Sequence, residues 1–278
     1  MEGVQKMVFR LKKILLYVVI AIIFLVAIFP IYWTAIGSFK FVRDIVTPVP
    51  KFIFTPTLIN YIDVLKIADI RGSLLNSIIV VTGASLLGFI LGVPAAYVFA
   101  RFSFKHKDDL QFWVLSLRMM PPVAVVIPFI SIWLGLGLFD TYISLIVTYL
   151  LISLPIVIWL SIDCFKNVPV ECEEAAMVEG CSYFRVFYRV ALPIAGPTLI
   201  GGLLFSFILV WNEFFLAFVL TSQKMTMPVA AASFAMVGME IPWGLICASI
   251  CLLSIPPLIL ASVFSKFLQS YFLPKISE

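Results

Sequence analysis

Three carboxylates crowd one short stretch of an otherwise oily chain. Glu171, Glu173 and Glu174 open the run VECEEAAMVEGCSYFRVFYRVALP at residues 170–193, whose second half turns basic and aromatic. Other residues able to do chemistry stand inside apolar surroundings: Trp211, Asn212 and Glu213 in sequence, Arg118 alone, and more weakly Asn76, Tyr149 and Ser153. An enzyme built on this chain would need paired intramembrane carboxylates or a histidine cluster, and neither appears. The one histidine, His106, sits in FSFKHKDD among Lys105, Lys107, Asp108 and Asp109 and reads as a solvated loop residue. Cys164, Cys172, Cys181, Cys247 and Cys251 include no CxxC spacing, so with a single histidine a Cys/His zinc site is not expected and the thiols read as small packing groups. We therefore assign no catalytic residue and no metal ligand.

The surroundings set what these residues can do. Of 278 residues, 63% are hydrophobic and 12% charged, where a soluble domain runs nearer half and a quarter, so lipid is the expected solvent. The basic residues are scattered and not interleaved with aromatics on one face, which argues against a nucleic-acid partner. Six segments reach the roughly 20 apolar residues a membrane-spanning helix needs: 14–36, 74–100, 111–134, 142–162, 198–220 and 244–266. Lys6, Arg10, Lys12 and Lys13 precede the first, but its apolar run is too long for a signal core and no A-x-A site follows, so it reads as a retained helix.

Lys and Arg in the connecting segments orient the bundle. With the N-terminus inside, the inner side holds Lys6, Arg10, Lys12, Lys13, Arg101, Lys105, Lys107, Lys166, Arg185, Arg189, Lys266 and Lys275. The outer side holds Lys40, Arg43, Lys51, Lys66, Arg71 and Lys224, and Arg118 falls within a helix. That is twelve against six, which places both termini and the acidic stretch in the cytoplasm. The proline-rich outer segment 37–73 is expected to be extended and irregular, 135–141 to be a short turn, and 221–243 a longer connection. None is large enough for a receptor domain, so solute capture would belong to another protein.

Residues 168–193 then read as a helix–turn–helix bracket. Pro169 suits a first helical turn, and Glu171, Glu173 and Glu174 favour the positive end of the helix that follows. Gly180 ends it as a residue able to take positive φ. Ser182 is placed to cap a second short helix carrying Tyr183, Phe184, Val186, Phe187 and Val190, and Pro193 and Pro197 are expected to break the chain before the fifth span. An amphipathic loop lying on headgroups would account for part of this pattern, but such helices are usually basic. The acidic first half favours a docking element for a cytoplasmic protein.

One spacing goes further: Glu174-Ala175-Ala176, Gly180 four residues on, Val190, then Leu192-Pro193. It resembles the signature of the membrane subunits of ATP-driven uptake systems, with Val190 where Ile is more common. NSIIVV at the second span, PAAYVFARFSF at its end and WNEFFLAFVLT in the fifth resemble the carbohydrate branch of that family, and its maltose-type six-helix permease subunit above all. The resemblance implies an all-α fold, the type I ABC importer permease, as a single domain over 1–278. It implies a second permease subunit, usually different from the first, two cytoplasmic ATPase subunits that bind ATP and Mg, and an extracytoplasmic solute-binding protein. The bracket would be the coupling helix, with Glu173, Glu174, Ala175, Ala176, Gly180, Leu192 and Pro193 as its coupling residues. The chain carries no G-x-x-x-x-G-K-[ST] loop, so energy would reach it mechanically. A sugar is the solute this branch implies, with a polyol, glycerol phosphate or anionic sugar derivative as the alternative, and a membrane enzyme or channel as weaker rivals.

For the polar residues within spans two readings stand. Asn212 and Glu213 hold helices together, or they line a solute cavity with Trp211 as an apolar wall. Arg118 snorkels or meets an acid of a partner chain, or it faces the cavity and favours an anionic solute. Asn76, Tyr149 and Ser153 fit interhelical contacts best. The orientation is directly testable: a thiol label placed within 221–243 should react from outside the cell, and one within 166–190 only from inside, and the reverse pattern would overturn the topology.

Overall fold

The computed structural model describes residues 2–67, 70–234 and 241–272, and every regular element among them is helical. In chain order these are α1 Glu2–Ser38, α2 Val42–Ile45, α3 Ile59–Ile67, α4 Ile70–Arg101, α5 Lys107–Met119, α6 Pro122–Gly135, α7 Tyr142–Lys166, α8 Val170–Val178, α9 Tyr183–Val186, a π-helical turn Phe187–Ala191, α10 Leu192–Trp211, α11 Phe215–Leu220, α12 Met227–Ser233 and α13 Trp243–Phe272. Among the described residues, five stretches are long and apolar enough to cross a membrane, or six if α5 and α6 count as one bent span. Lys275 and residues 235–240 of the expected outer connection lie outside the described residues.

Three expectations from the sequence need correcting. The span expected at 111–134 is two helices bent by 92°. Met120 and Pro121 are extended there (φ −66°, ψ 127° and φ −65°, ψ 128°), because residues preceding proline are driven out of the helical region and Pro121 and Pro122 donate no N–H. Pro193 and Pro197 do not break the chain before the fifth span: helix runs from Tyr183 to Trp211, and the widened π turn at 187–191 accommodates the proline ring and the missing bond. The segment 37–73 is irregular only in part, since α3 follows the prolines as a regular helix.

By packing, the chain divides into two compact units, residues 1–68 with 231–253 and residues 69–230 with 254–278. In the first, α1 leaves Ile14 to Phe29 largely exposed, as a lipid-facing helix would. Its end is tied down by polar contacts: Asn60 Nδ2 donates to the carbonyls of Ser38 (2.9 Å) and Lys40 (2.8 Å). Lys40 is itself buried, its ammonium over the rings of Trp33 (4.5 Å) and Phe54 (4.9 Å).

In the second unit α4, α7 and α10 pack together. Glycines let α4 approach α7: a Cβ on Gly88 would stand 2.6 Å from Ser153 Oγ, and one on Gly92 2.9 Å from Val157 Cγ1. The Ser153 hydroxyl donates across the same seam to the Ala84 carbonyl (3.1 Å). At the end where α4 begins, Asn76 accepts from the Tyr142 hydroxyl (2.8 Å) and donates to the Met225 carbonyl (3.0 Å).

Near that end the turn between α6 and α7 holds the connection after α11. Asp140, at φ 58°, accepts hydrogen bonds from the backbone N–H groups of Ser222 (3.0 Å), Gln223 (2.9 Å) and Lys224 (3.0 Å) and from the Ser222 hydroxyl (3.0 Å). Partial burial pushes the Asp140 carboxyl up, but these donors together outweigh it and hold it below the ordinary carboxylate range. A depressed folded-state pKa gives stability that is complete above the unfolded value and lost as pH falls through the folded one. The protection of the three amides against hydrogen exchange, corrected for intrinsic rate, should persist at pH 5 and fail only below pH ~4. Asp140→Asn, which turns one acceptor into a donor, should reduce it about tenfold or more at neutral pH. Unchanged protection in Asp140→Asn would show that the carboxylate does not hold the loop.

Candidate functional site

The bracket forms from short-range rules. Pro169 stands before the first turn of α8, and Glu171 and Glu173 fall within that turn, where carboxylates suit the helix dipole. Gly180 ends the helix at φ 87°, its N–H bonding to the Met177 carbonyl (2.9 Å) while the Cys181 N–H reaches back to Ala176 (3.0 Å). This pair of bonds is the Schellman arrangement, which needs a left-handed residue between them. A Cβ at Gly180 would meet nothing within 4 Å, so within this chain the demand for glycine comes from backbone conformation alone. Ser182 occupies the cap position of α9, but its side chain makes no capping bond; only its carbonyl accepts, from Val186 N–H (2.9 Å).

The expected coupling residues divide into two groups. Glu174, Ala175, Gly180 and Pro193 are exposed, Ala176 and Leu192 half-buried, and around them Val178, Phe184 and Tyr183 are 89%, 72% and 61% exposed. Exposed apolar residues gathered beside a carboxylate are the composition of a protein-binding face. Glu173 turns the other way. It is 4% exposed, with the Tyr97 hydroxyl donating to Oε2 (2.8 Å) and Arg101 Nε to Oε1 (2.8 Å). Beneath it lies a core that includes Val93, Ala96, Ile162, Phe165, Phe187 and Leu199. Tyr97 and Arg101 are site residues that single-sequence reading missed. Their nearest signal was the PAAYVFARFSF stretch, which carried a resemblance but no assigned role.

A second feature lies where two spans are interrupted. A cavity of about 310 Å³ is lined by Leu117, Arg118 and Met120 at the end of α5, Pro122 and Val125 of α6, Leu151 and Ile152 of α7, Leu209 of α10, Glu213, and Leu216 of α11. The α5–α6 bend borders it on one side. On another, α10 stops at Trp211 and α11 starts at Phe215, with Glu213 between them. The Glu213 carboxylate accepts from the N–H groups of Leu216 (2.9 Å) and Ala217 (3.3 Å), so it caps the second half-helix. Asn212 Nδ2 closes the first half by donating to the Ile208 carbonyl (2.7 Å).

The expected pathway residues are therefore only partly brought together. Arg118 and Glu213 line the same cavity, and Tyr149, fully buried, lies within electrostatic reach of Glu213. Trp211 is 1% exposed and stacks on Phe207, so it belongs to the core. Asn76 and Ser153 are engaged in the interhelical bonds described above. His106, at φ 62°, lies in the exposed turn before α5 with Nδ1 2.9 Å from Asp109. Among the described residues no three His, Cys, Asp or Glu side chains converge as a metal site.

Residues 88–278 match the family described as binding-protein-dependent transport system inner membrane component. The trehalose/maltose transport system permease protein MalG of Thermococcus litoralis is 32% identical over 270 residues, 94% of this chain and 95% of the relative. The trehalose transport system permease protein SugB of Mycobacterium tuberculosis is 33% identical over 215 residues, 76% of this chain and 78% of the relative. Among solved structures, a bacterial ABC transporter involved in import of the acidic polysaccharide alginate has a chain that superposes with a TM-score of 0.76 at 21% identity, covering 92% of this chain and 96% of that one.

The cap at Glu213 makes a prediction that separates shape from charge. Glu213→Ala removes both acceptors and should destabilise the start of α11 by about 0.5–2 kcal/mol, read as a lower melting temperature in detergent. Glu213→Gln keeps a side-chain acceptor and should recover at least about half of that loss. Equal melting of all three proteins would show that the cap contributes nothing.

Proposed function

The chain belongs to the family of binding-protein-dependent transport system inner membrane components, and on that premise we propose that it forms half of the pathway of an ATP-driven sugar importer. The members are ABC transporter permeases, non-catalytic membrane subunits that work with ATPase subunits. The finer assignment is that a second, non-identical permease subunit completes the pathway. Two ATPase subunits dock on the bracket from the cytoplasm, where both termini also lie, and a solute-binding protein delivers from outside. A disaccharide is the favoured solute because both curated relatives above are named for trehalose or maltose transport.

The observation that carries this reading is the bracket: a short acidic helix closed by Gly180, held to the bundle on one face and offering Glu174, Val178, Tyr183 and Phe184 on the other. Nucleotide-driven approach of the ATPase subunits would move this element as a rigid piece, and the helices joined to it would switch which side of the cavity is open. The cavity fits the pathway because it lies where two spans are interrupted, as substrate sites in transporters often do. A second reading, an anionic sugar derivative or glycerol phosphate, is favoured by Arg118, which lines that cavity while the Glu213 carboxylate is occupied by α11.

Gly180→Val tests the bracket. The β-branched side chain is strained at φ 87°, so the turn must change shape while the spans remain inserted. ATPase subunits should then be lost on purification, or their hydrolysis should continue with solute uptake reduced about tenfold or more. Glu174→Lys should weaken docking through charge alone, with unchanged folding, because Glu174 is exposed. Full ATPase retention with normal coupled uptake in Gly180→Val would remove the bracket from the transmission path.

A further inference from the structure

The bracket is joined by the backbone to two spans and to a third only through side chains. Residues 167–169 connect α8 directly to α7, and the π turn connects α9 directly to α10. Helix α4 has no such connection; Tyr97 and Glu173 are 76 residues apart in sequence and Arg101 and Glu173 are 72. A displacement of the bracket is therefore imposed on α7 and α10 by covalent geometry, whereas α4 follows only if something at its end holds it.

That hold is present. Tyr97 and Arg101 are four residues apart, so they share one face of the last turns of α4. Tyr97 donates to Oε2 of Glu173 (2.8 Å) and Arg101 Nε to Oε1 (2.8 Å), while Arg101 Nη2 stands 2.8 Å from the same Oε1 as an ion pair. The same Nη2 reaches the Val168 carbonyl (2.7 Å), in the segment that leads into α8. The Arg101 and Glu173 side chains are 13% and 5% exposed, whereas Glu174 beside them is open to solvent. Aromatic rings fix the tyrosine: Phe187 at 4.9 Å and Phe165 at 5.3 Å from its centroid, drawn from the π turn and from α7. Charge-assisted bonds with this geometry resist shear, because any slide of α8 along α4 strands a buried carboxylate or guanidinium without a partner.

We infer that Tyr97, Arg101 and Glu173 form a latch that makes α4 move with the bracket. Arg101 is a positioning residue for coupling rather than a contact for the ATPase, and Glu173 is separated in role from its neighbour Glu174. The inference rests on the coupling function proposed above. Through the close glycine seam between α4 and α7, the latch closes a mechanical triangle of bracket, α7 and α4, so a push at α8 reaches the α4 wall of the bundle without lag.

The test is a distance measured in the assembled transporter. Spin labels at Ser103, just past α4, and at Val178, on the bracket, would be compared in the nucleotide-free complex and in the complex trapped with ATP and vanadate, the five native cysteines being replaced by alanine. The latch predicts one narrow distance shared by both states. Arg101→Ala should broaden the distribution roughly twofold or more and make it depend on nucleotide, and Tyr97→Phe, which keeps the ring packing, should give a smaller effect of the same sign. Combining Tyr97→Phe with Glu173→Gln should be no worse than the poorer single variant, since both break one unit. ATPase subunits that stay bound while Arg101→Ala leaves the distance narrow and fixed would overturn the latch alone. Failure of any ATPase to co-purify with the unaltered chain would overturn the coupling reading and the latch with it. Should Arg101→Ala fail to assemble, Tyr97→Phe decides: an unchanged distance and an unchanged ratio of ATP hydrolysed to solute moved would overturn the proposal.

Discussion

A carboxylate taken out of water keeps its charge only where donors replace the water it lost. At Glu173 each carboxylate oxygen accepts a hydrogen bond, one from a phenol and one from a guanidinium whose charge also balances it, both at the end of a single helix. The arrangement of the bracket follows from that requirement. Once Glu173 is buried against Tyr97 and Arg101, the register of α8 on α4 is set, and Glu174 and Val178 are left exposed. A buried ion pair adds little net stability compared with apolar packing, but it punishes misplacement severely. Geometry is what such a buried pair preserves.

The two interrupted spans solve a different problem with the same chemistry. A helix that ends inside a bilayer exposes amides and carbonyls that lipid cannot satisfy, so an interruption survives only with local partners or a water-lined cavity. Glu213 and Asn212 supply those partners at the α10–α11 break, one for each half-helix. At the α5–α6 bend, Pro121 and Pro122 remove two donors that would otherwise need acceptors. Both interruptions border the cavity that holds Arg118. The breaks that fall inside spans are thus both placed at this cavity.

How legible this was depended on the range of each interaction. Apolar runs announced the spans because lipid burial acts on every residue in them, and Gly180 announced its turn because left-handed backbone is decided within six residues. The 92° bend was visible as Pro121-Pro122, yet a hydropathy window averages across a bend and reports one span. Pro193 pointed the other way, since a π turn upstream makes a proline compatible with continuous helix and leaves no mark in composition. Glu213 was singled out for the right reason, an ionisable group among apolar neighbours, but its amide partners appear only once the helix is seen to stop at Trp211. Asp140 and Arg101 were the hardest, because their partners lie 82 to 84 and 72 residues away and either residue alone resembles a surface charge.

Asp140 and Glu173 also show how the second unit divides stiffness between its ends. Each is a carboxylate surrounded by donors from a distant segment, but the donors differ in kind. Asp140 is met mostly by backbone amides of 222–224, with the Ser222 hydroxyl beside them, so that loop is fixed in shape. Glu173 is met by side chains of a long helix, so what is fixed there is the relation between two elements. A backbone clamp preserves a surface, and a side-chain latch preserves a lever. The chain places the two in that order along α4, from the Asn76 end to Arg101, so the coupling proposed for the bracket would be carried by the end at which the relation between elements is fixed.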